Sequence, residues 1–599
     1  MCGIVGRVDF DGTDLSQLDL SAALTSLRAR GPDAQGTWRR QWAALGHTRL
    51  AIVDLDERSN QPFISADGNY VLTYNGEIYN HPELRRQLQQ HWRFSTSGDT
   101  EVVLAALVTW GTEAFSRFNG MWALALVDVA RRRLLLARDR FGVKPLYVAA
   151  ETSGGFVFGS TVTALQTLMD TPLRPDMQHL SRYLVTAASH LDSSTFYEGV
   201  RELNPGTWLQ VSTEGRREGR YWNLPLPQAG RRIDTDRLEW LLRDSVHVRL
   251  RSDVPVGVTL SGGLDSSLIA TLMSEDEGAS MAFTASGGGS NSESEEAATY
   301  AGLLGMPWVG VDLPTRLGPE FLAARISELD GPNASPAANA VWYIMRTAAA
   351  AGRRVVLEGQ GADEIFGGYS SIVGPFWLKD RLMHRDLTGA RRAWLGLTWY
   401  LGTRQALQHS IRRLVPGAHD MYGRRRGNAA CLTGELDVRV EPLTRPGMTA
   451  AEVLHACVND VLRSLLHYGD RMSMAHSVET RQPFLDYRIV EEVSSSDMAQ
   501  RFAEGRGKDS LRAVGGRVLR SQKPARAPKR GFPVPTLRWI QDPECQDLLA
   551  RGHLVERGLL DARQVRELLD SAATGKAPMR TQSAYRLLTA ELWWRDQGW

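Results

Sequence analysis

Long apolar runs are missing from this sequence. No stretch approaches the roughly 18 consecutive apolar residues that a membrane-spanning helix needs. The first ten residues, MCGIVGRVDF, have no basic segment followed by an apolar one, so they do not resemble a secretory signal. We therefore expect a cytoplasmic protein that has no membrane partner.

Cysteine and net charge are also low. The four cysteines lie far apart and form no CxxC pair, so the spacing typical of a cysteine zinc site is missing. Lys+Arg 70 against Asp+Glu 68 leave a formal charge of +2, so the overall charge does not indicate a nucleic-acid partner. Lysine is much rarer than arginine, which draws attention to the few lysines that lie within motifs.

The composition is otherwise that of an ordinary globular protein, with 43% hydrophobic and 23% charged residues. A chain of 599 residues is too long for one hydrophobic core, so we expect two or more domains. A charged and then proline-rich stretch begins after residue 213. We place a linker at 214–233, between domains at 2–213 and 234–599.

Residues 254–267, VPVGVTLSGGLDSS, form the central motif of the chain. A short apolar run predicts a buried strand, and an amphipathic run from Ser266 predicts a helix. The glycines between them let backbone N–H groups approach an anion at the positive end of that helix. Asp265 would provide a carboxylate for Mg²⁺. The alternative is an ordinary turn, and the Lys-Ser/Thr pair of a Walker loop is missing.

A second strand and glycine turn follow at 355–369, VVLEGQGADEIFGGY. Alternating strands and helices favour a doubly wound parallel sheet, in which ligands bind at the carboxyl ends of the strands. We expect Asp363 and Glu364 to share Mg²⁺ with Asp265 across a triphosphate. The alternative is a solvated acidic pair.

Cys2 is a candidate nucleophile because of its position. Removal of Met1 would place a free α-amine, with a pKa near 8, beside the thiol as a base. The alternative is an inert cysteine buried before a first strand. Position alone does not decide between these two interpretations.

Six motifs decide in favour of the nucleophile: RARGPD (28–33), GHTRLAIVD (46–54), VLTYNGEIYN (71–80), TSGDTE (96–101), FNGMWALALVD (118–128) and RLLLARDRFGVKPLY (133–147). Together they resemble the glutamine amidotransferase domain that has an N-terminal cysteine and an αββα sandwich fold. The resemblance implies that Cys2 attacks the glutamine amide and that Asn75 and Gly76 hold the oxyanion. It also implies a glutamine-binding set of Arg49, Leu50, Ala51, Ile52, Val53, Asn75, Gly76, Glu77 and Asp99.

SGGLDS at 261–266 resembles the loop of the ATP pyrophosphatases. The stretches HYGDRMSMAHSVETRQPFLD (467–486), KDSLR (508–512) and KRGFPVP (529–535) resemble asparagine synthetases. The resemblance implies a doubly wound ATP-pyrophosphatase domain with added helices, in which Lys529 stabilises the phosphoryl transition state. It implies an ATP-binding set of Leu260, Ser261, Gly262, Gly263, Asp265, Ser266, Ala285, Glu358 and Gly359. Gln360 stands where relatives often have Glu, near the site of acyl-adenylate formation.

The whole chain thus resembles a glutamine-hydrolysing asparagine synthetase. The implied substrates are glutamine, ATP with Mg²⁺, and a carboxylate for which aspartate is the first choice; a homodimer is left open. One alternative is the same chemistry on another carboxylate. Two others are a cyclase that forms an intramolecular amide and a non-catalytic scaffold, but both are disfavoured because the catalytic groups of two sites are retained.

The segment LDGPNASPAANAVWY at 329–343 is the predicted lining of the acceptor pocket. Relatives that act on aspartate commonly read Asp-Glu-Pro where this chain has Asp330, Gly331 and Pro332. Asn333, Asn339 and Trp342 also depart from the aspartate pattern. We expect a pocket with less acidic character and a new aromatic wall.

Overall fold

A computed structural model describes residues 2–151, 154–276, 280–287, 292–414, 428–436, 444–502, 505–526, 534–575 and 578–599. The strands of the first 222 residues are β1 (Gly3–Val8), β2 (Ala34–Arg40), β3 (Ala43–Arg49), β4 (Phe63–Ile64), β5 (Tyr70–Ile78), β6 (Gly120–Asp128), β7 (Arg133–Arg138), β8 (Tyr147–Ala150), β9 (Phe156–Gly159), β10 (Val200–Glu202), β11 (Thr207–Ser212) and β12 (Gly215–Arg220). The helices are α1 (Ser21–Ser26), α2 (His81–Leu88), α3 (Asp99–Trp110), α4 (Ala114–Arg117), α5 (Val162–Gln166) and α6 (Met177–Thr186).

These strands form two six-stranded antiparallel sheets, in the orders β10-β8-β9-β1-β3-β2 and β12-β11-β7-β6-β5-β4. Side chains alternate across each strand, so Ile4 of β1 packs between the sheets while Val5 packs under α1 and α5. Helices α2 and α3 cover the outer face of the second sheet. The expected αββα sandwich is confirmed, as is the hairpin of β6 and β7.

One expected boundary is corrected. Gly215–Arg220 forms β12, which pairs along its whole length with β11, so residues 215–220 belong to the first domain's sheet rather than to the linker. Both faces of this edge strand are largely exposed, so it lacks the alternating apolar pattern that identifies a strand in the sequence.

The strands of the second domain are β13 (Val256–Thr259), β14 (Met281–Gly287), β15 (Trp308–Leu313), β16 (Val355–Leu357) and β17 (Glu479–Arg481). Its helices are α7 (Thr235–Arg249), α8 (Leu264–Met273), α9 (Ser292–Leu303), α10 (Pro319–Glu328), α11 (Ala337–Ala350), α12 (Ala362–Phe366), α13 (Ser370–Met383), α14 (Leu387–Leu401), α15 (Thr403–Leu414), α16 (Ala450–Ala456), α17 (Arg463–Met474), α18 (Tyr487–Ser494), α19 (Ala499–Phe502), α20 (Asp509–Val518), α21 (Lys523–Arg526), α22 (Thr536–Ile540), α23 (Pro543–Ala550), α24 (His553–Glu556), α25 (Ala562–Ala573) and α26 (Pro578–Asp596).

The five strands form a parallel sheet in the order β15-β14-β13-β16-β17. Chain order reverses between β13 and β16, so the glycine turns after these two strands flank the crevice where doubly wound sheets bind ligands. Val355 and Leu357 pack on the α8 side of the sheet, and Val356 packs on the α11 side. The expected doubly wound architecture is confirmed.

The two domains share a hydrophobic core. Tyr183 of α6 and Phe196 lie in one buried cluster with Leu588 and Trp593 of α26. The Tyr183 hydroxyl is 2.8 Å from the hydroxyl of Thr589. No helix among the described residues combines the length and apolarity needed to span a bilayer.

Candidate active sites

Cys2 lies immediately before β1 and is buried. Its backbone N–H donates to the Asn75 side-chain oxygen at 3.0 Å. Burial is the largest effect and leaves the pKa of the Cys2 thiol raised, with a further contribution from Glu479, although the positive amino terminus, the backbone of Leu50 and Arg49 each lower it. The groups that favour a reactive thiolate are therefore present around a thiol that is otherwise desolvated.

Asn75, on β5, is oriented by that contact. Because its Oδ1 accepts from Cys2, its Nδ2 is the remaining donor, and this buried atom has no hydrogen-bond partner among the described residues. A spare amide donor beside a nucleophile is what an oxyanion requires. The next residue, Gly76, permits close packing, since a Cβ there would lie 2.2 Å from the Met121 carbonyl oxygen.

Arg49 ends β3 and holds the loop that follows it. Its Nη1 donates to the Asp56 carbonyl and the Asn60 side chain, each at 2.8 Å, and its Nη2 donates to the Asp54 carbonyl. A guanidinium has five N–H groups, so two are left for a substrate carboxylate. Ala51 donates its N–H to Asp33, while Leu50 and Ile52 are buried and Val53 is half-buried.

The expected ammonium-binding carboxylates are both buried. The Glu77 Oε1 has no hydrogen-bond partner among the described residues, and burial followed by the nearby Asp99 charge raises the pKa of Glu77 well above its usual range. A ligand ammonium would relieve that cost. Asp99 is the first residue of α3, whose N-cap is Gly98, and its carboxylate accepts from the Tyr74 hydroxyl and the Ile78 N–H.

Buried ion pairs connect this site to the second domain. Arg30 donates to the Cys2 carbonyl and to Asp470 on α17 at 2.8 Å. Arg481 on β17 donates to Glu479 at 2.6 Å and lies 3.7 Å from Glu77. Sequence reasoning assigned no role to four of these residues, although each lies within a recognised motif: Arg30, Asp470, Glu479 and Arg481.

The predicted ATP-binding residues line a single cavity of about 710 Å³ at the switch point of the parallel sheet. The cavity contains all nine of them: Leu260, Ser261, Gly262, Gly263, Asp265, Ser266, Ala285, Glu358 and Gly359. Gly262 has φ +72°, a conformation that favours glycine, and Gly263 is the N-cap of α8. The positive end of α8 is thus directed at the space where phosphate groups would bind.

Lys508 is the principal group of this cavity that sequence reasoning missed. Its ammonium lies 2.5 Å from Asp265 and 2.7 Å from Asp363, and these carboxylates raise its pKa despite burial. The signal in the sequence was a scarce lysine in the KDSLR motif. Two carboxylates that face one cation form a donor set that also suits Mg²⁺.

The structure separates Glu364 from the other two carboxylates of the expected magnesium site, which stays a prediction. Glu364 does not line the cavity; it is buried and accepts from the Tyr369 hydroxyl. Adjacent residues on a helix point in different directions, so α12 can present Asp363 but not Glu364 to the nucleotide. No group of three or more His, Cys, Asp or Glu side chains in the described ranges forms a metal site. The carboxylates of Asp265 and Asp363 would therefore need phosphate oxygens to complete the coordination of Mg²⁺.

Of two further predicted residues, one lies in the cavity and the other lies outside the described part of the chain. Gln360 lines the cavity beside Glu358, whose pKa burial raises to about 7. Lys529 lies outside the described residues, so its role in phosphoryl transfer stays a prediction.

The predicted acceptor segment is only partly in the cavity. Ser335, Ala337 and Val341 line it, but Trp342 does not: its ring packs on Phe321 and His476, with Arg325 4.3 Å from the ring centre. Trp342 thus forms no wall of this cavity, because this face of α11 is turned away from the sheet, and its place in an acceptor pocket stays a prediction.

Asn339 and Asp330 have structural contacts instead. Asn339 is buried and donates to the Tyr585 hydroxyl at 3.0 Å. Asp330 accepts from the Val162 N–H at the start of α5 and from Arg471 at 2.7 Å. Asp330 thus joins the two domains rather than presenting an unpaired carboxylate to a substrate.

Comparison with known proteins assigns each half of the chain. The family described as glutamine amidotransferase domain matches residues 1–222, and the family described as asparagine synthase matches residues 237–595. The putative asparagine synthetase [glutamine-hydrolyzing] of Mycobacterium tuberculosis is 30% identical over 99% of this chain and 97% of its own length. Asparagine synthetase [glutamine-hydrolyzing] 3 of Bacillus subtilis is 29% identical over 95% of this chain and 94% of its own length. Amidase chry2 of Gibberella zeae is 28% identical over 83% of this chain and 82% of its own length.

The fold and these matches define a glutamine-dependent amidotransferase with an ATP-using synthetase domain. More particularly, the chain belongs to the asparagine synthase family.

Proposed function

We propose that this protein transfers the amide nitrogen of glutamine to a carboxylate, which it first activates as an acyl-adenylate. The observation that supports the proposal is that each of two sites brings together groups suited to one half-reaction. At Cys2 these are a candidate nucleophile and a spare oxyanion donor, and at the ATP cavity they are a glycine loop, Asp265, Asp363 and Lys508.

The first half-reaction consumes glutamine. The Cys2 thiolate attacks the side-chain carbonyl carbon, and Asn75 with Gly76 stabilises the negative oxygen of the tetrahedral intermediate. Ammonia then leaves with a proton that the amino terminus took from the thiol, which forms a glutamyl thioester. Water hydrolyses the thioester to glutamate and regenerates Cys2. Arg49 and Glu77 hold the α-carboxylate and α-ammonium of glutamine in place.

The second half-reaction consumes ATP. A carboxylate oxygen attacks the α-phosphorus, the bond to the β-phosphate oxygen breaks, and pyrophosphate leaves. Ammonia then attacks the acyl carbon, loses a proton and expels AMP to give the amide. The N–H groups of the 261–266 loop and Lys508 bind the phosphates, and Asp265 with Asp363 would hold Mg²⁺. Bound Mg²⁺ supplies positive charge to the phosphate oxygens.

Aspartate is our first choice of acceptor, since the relatives with the highest identities reported above are named asparagine synthetases. A different carboxylate is the second candidate. It is favoured because Asp330, the acidic residue of the predicted acceptor segment, is occupied by Arg471 and α5. An amino acid such as aspartate carries an α-ammonium that needs an acidic partner when it is buried, whereas a carboxylate without an ammonium does not. We therefore expect aspartate to be turned over, but not to be the best acceptor.

The test is AMP release from ATP, Mg²⁺ and glutamine in the presence of a panel of carboxylates, with ammonium chloride replacing glutamine in a parallel series. AMP formation that depends on the carboxylate supports the proposal, and its absence with every carboxylate would reject it. A kcat/KM for aspartate of about 10⁴ M⁻¹s⁻¹ or more, unmatched by any other acid, would leave ordinary asparagine synthesis and exclude the second candidate.

A further inference from the structure

A second cavity, of about 410 Å³, lies between the two domains, and we name it the interdomain chamber. On one side it is lined by the first-domain residues that follow α6, including Ala188 to His190 and Ser194 to Phe196. On the other side it is lined by the loop 329–336 and by one face of α17. Pockets that hold drug-sized ligands span about 300–1,000 Å³, so this chamber alone has room for a substantial organic group.

The interdomain chamber adjoins the ATP cavity. Four residues line both spaces: Ser335, Leu465, Tyr468 and Gln582. Of these, Gln582 is exposed and Ser335 is half-buried. A molecule that binds beside ATP near these residues would therefore lie next to the chamber.

Six aromatic rings line the chamber. They belong to Tyr147, His179, His190, Phe196, His467 and Tyr468. The ring centres of His190 and His467 are 5.0 Å apart, and those of His179 and Phe196 are 4.5 Å apart. Ring edges and faces of this kind pack well against a planar, apolar group.

Two of the three carboxylates that line the chamber are paired with arginines. Glu202 is held by Arg138 at 2.9 Å and by Arg463 at 2.7 Å. Asp330 is held by Arg471. Asp460 accepts a hydrogen bond from the backbone N–H of His190, and burial raises the pKa of Asp460.

His467 contributes no charge either. Its Nε2 lies 2.9 Å from the Leu329 carbonyl oxygen, to which it donates, and its Nδ1 faces the Tyr147 hydroxyl at 3.4 Å. Burial lowers the pKa of His467 to about 3, so it is neutral at physiological pH. The surface that remains for a ligand is aromatic, hydroxylic and largely uncharged.

We infer that the acceptor is an elongated carboxylate whose uncharged, aromatic-bearing tail occupies the interdomain chamber while its carboxyl group lies beside ATP. This inference rests on the proposed function and names its substrate class. Aspartate has no group that would reach beyond Ser335 and Tyr468, so it would leave the chamber to water. A tail that fills the chamber would gain binding energy from burial of its ring.

The experiment compares kcat/KM for AMP release, with ammonium as nitrogen source, among four acids: aspartate, N-benzoylglycine, 4-phenylbutyrate and 6-aminohexanoate. We expect at least one of the two phenyl-bearing acids to exceed aspartate about tenfold or more, as burial of one ring predicts. Preference for 6-aminohexanoate would show a cationic tail and overturn the inference. The inference would also be overturned if aspartate supports AMP release and none of the three longer acids gives a higher kcat/KM. That result would leave the proposed function intact.

A variant that fills the chamber locates the effect. Ser464 lies on α17 with its Oγ 3.4 Å from that of Ser189 of the first domain, so Ser464→Phe would place a ring in the chamber. We expect Ser464→Phe to lower kcat/KM for the preferred phenyl-bearing acid about tenfold, with aspartate and glutamine hydrolysis little changed. Asn459→Phe, on an exposed position of the same helical stretch, is the matched control. Ala334→Leu fills the loop side of the chamber if Ser464→Phe does not fold. Equal kcat/KM in the filled and control variants would refute the location.

Discussion

Replacement of Asn75 by Ala tests whether the Asn75 Nδ2 stabilises the oxyanion in the glutaminase site. Asn75 is fully buried, its Oδ1 holds the Cys2 N–H, and its Nδ2 has no partner among the described residues. If that Nδ2 meets the oxyanion, its loss removes one donor that acts in the transition state. One such donor is worth about 2.7–4 kcal/mol, so we expect kcat for glutamine hydrolysis to fall about 10²–10³-fold.

The assay is glutamate release from glutamine, with ammonium-dependent AMP formation measured on the same preparations. Asn75→Asp is the informative second variant, because it keeps an oxygen for the Cys2 N–H but loses the donor and adds a negative charge. It should be at least as slow as Asn75→Ala. Thr73→Val, two residues earlier on the same face of β5, is the control, since the buried Thr73 hydroxyl has no hydrogen-bond partner in the described structure. Retention of wild-type glutaminase activity by Asn75→Asp would refute the oxyanion assignment.

Three further predictions concern the separate sites. Cys2→Ala should abolish the use of glutamine but leave synthesis from ammonium salts; equal loss of both activities would mean that Cys2 is structural. Asp265→Asn should severely slow AMP and pyrophosphate formation with little change in glutamine hydrolysis, and detection of stoichiometric ADP in the wild type would contradict the pyrophosphatase assignment. Burial raises the pKa of Glu358 from 4.5 to about 7. As pH rises, the carboxyl therefore loses its proton in the unfolded chain before it does so in the folded protein. Between pH 4.5 and 7 this lowers the free energy of unfolding by about 3 kcal/mol. Glu358→Gln should therefore be more stabilising at pH 8 than at pH 5 in denaturant titrations, and a pH-independent difference would show that Glu358 titrates normally.

Local patterns predicted much of the fold. The apolar run at 254–260 and the glycine turn after it became β13 and α8, because strand period, turn residues and helix period all lie within 20 residues there. The β6–β7 hairpin was predictable for the same reason. The nine predicted ATP-binding residues come together because the carboxyl ends of parallel strands share one edge of the sheet.

Contacts between distant segments were not predictable. Nothing local to Lys508 indicates that it lies between Asp265 and Asp363, which are 243 and 145 positions earlier in the chain. The contacts of Trp342 were not predictable either. This large aromatic residue near a predicted pocket was interpreted as part of the pocket wall, but the orientation of α11 directs it at Phe321 and His476. Burial on one helix face or the other depends on the neighbouring elements, which the sequence does not specify locally.

The interdomain ion pairs have a consequence for protein engineering. Arg30 and Asp470 are both at least 95% buried at their side chains, and Arg481 approaches Glu77 from the opposite domain. Removal of one partner of such a pair typically costs about 3–5 kcal/mol, because the other charge stays buried. If the chain were cut between β12 and α7 and the two domains were separated, each fragment would carry charged side chains that have lost their ion-pair partners. The two domains therefore cannot be exchanged independently. A chimera that takes its glutaminase domain from a relative would also need the relative's matching residues on α17 and β17.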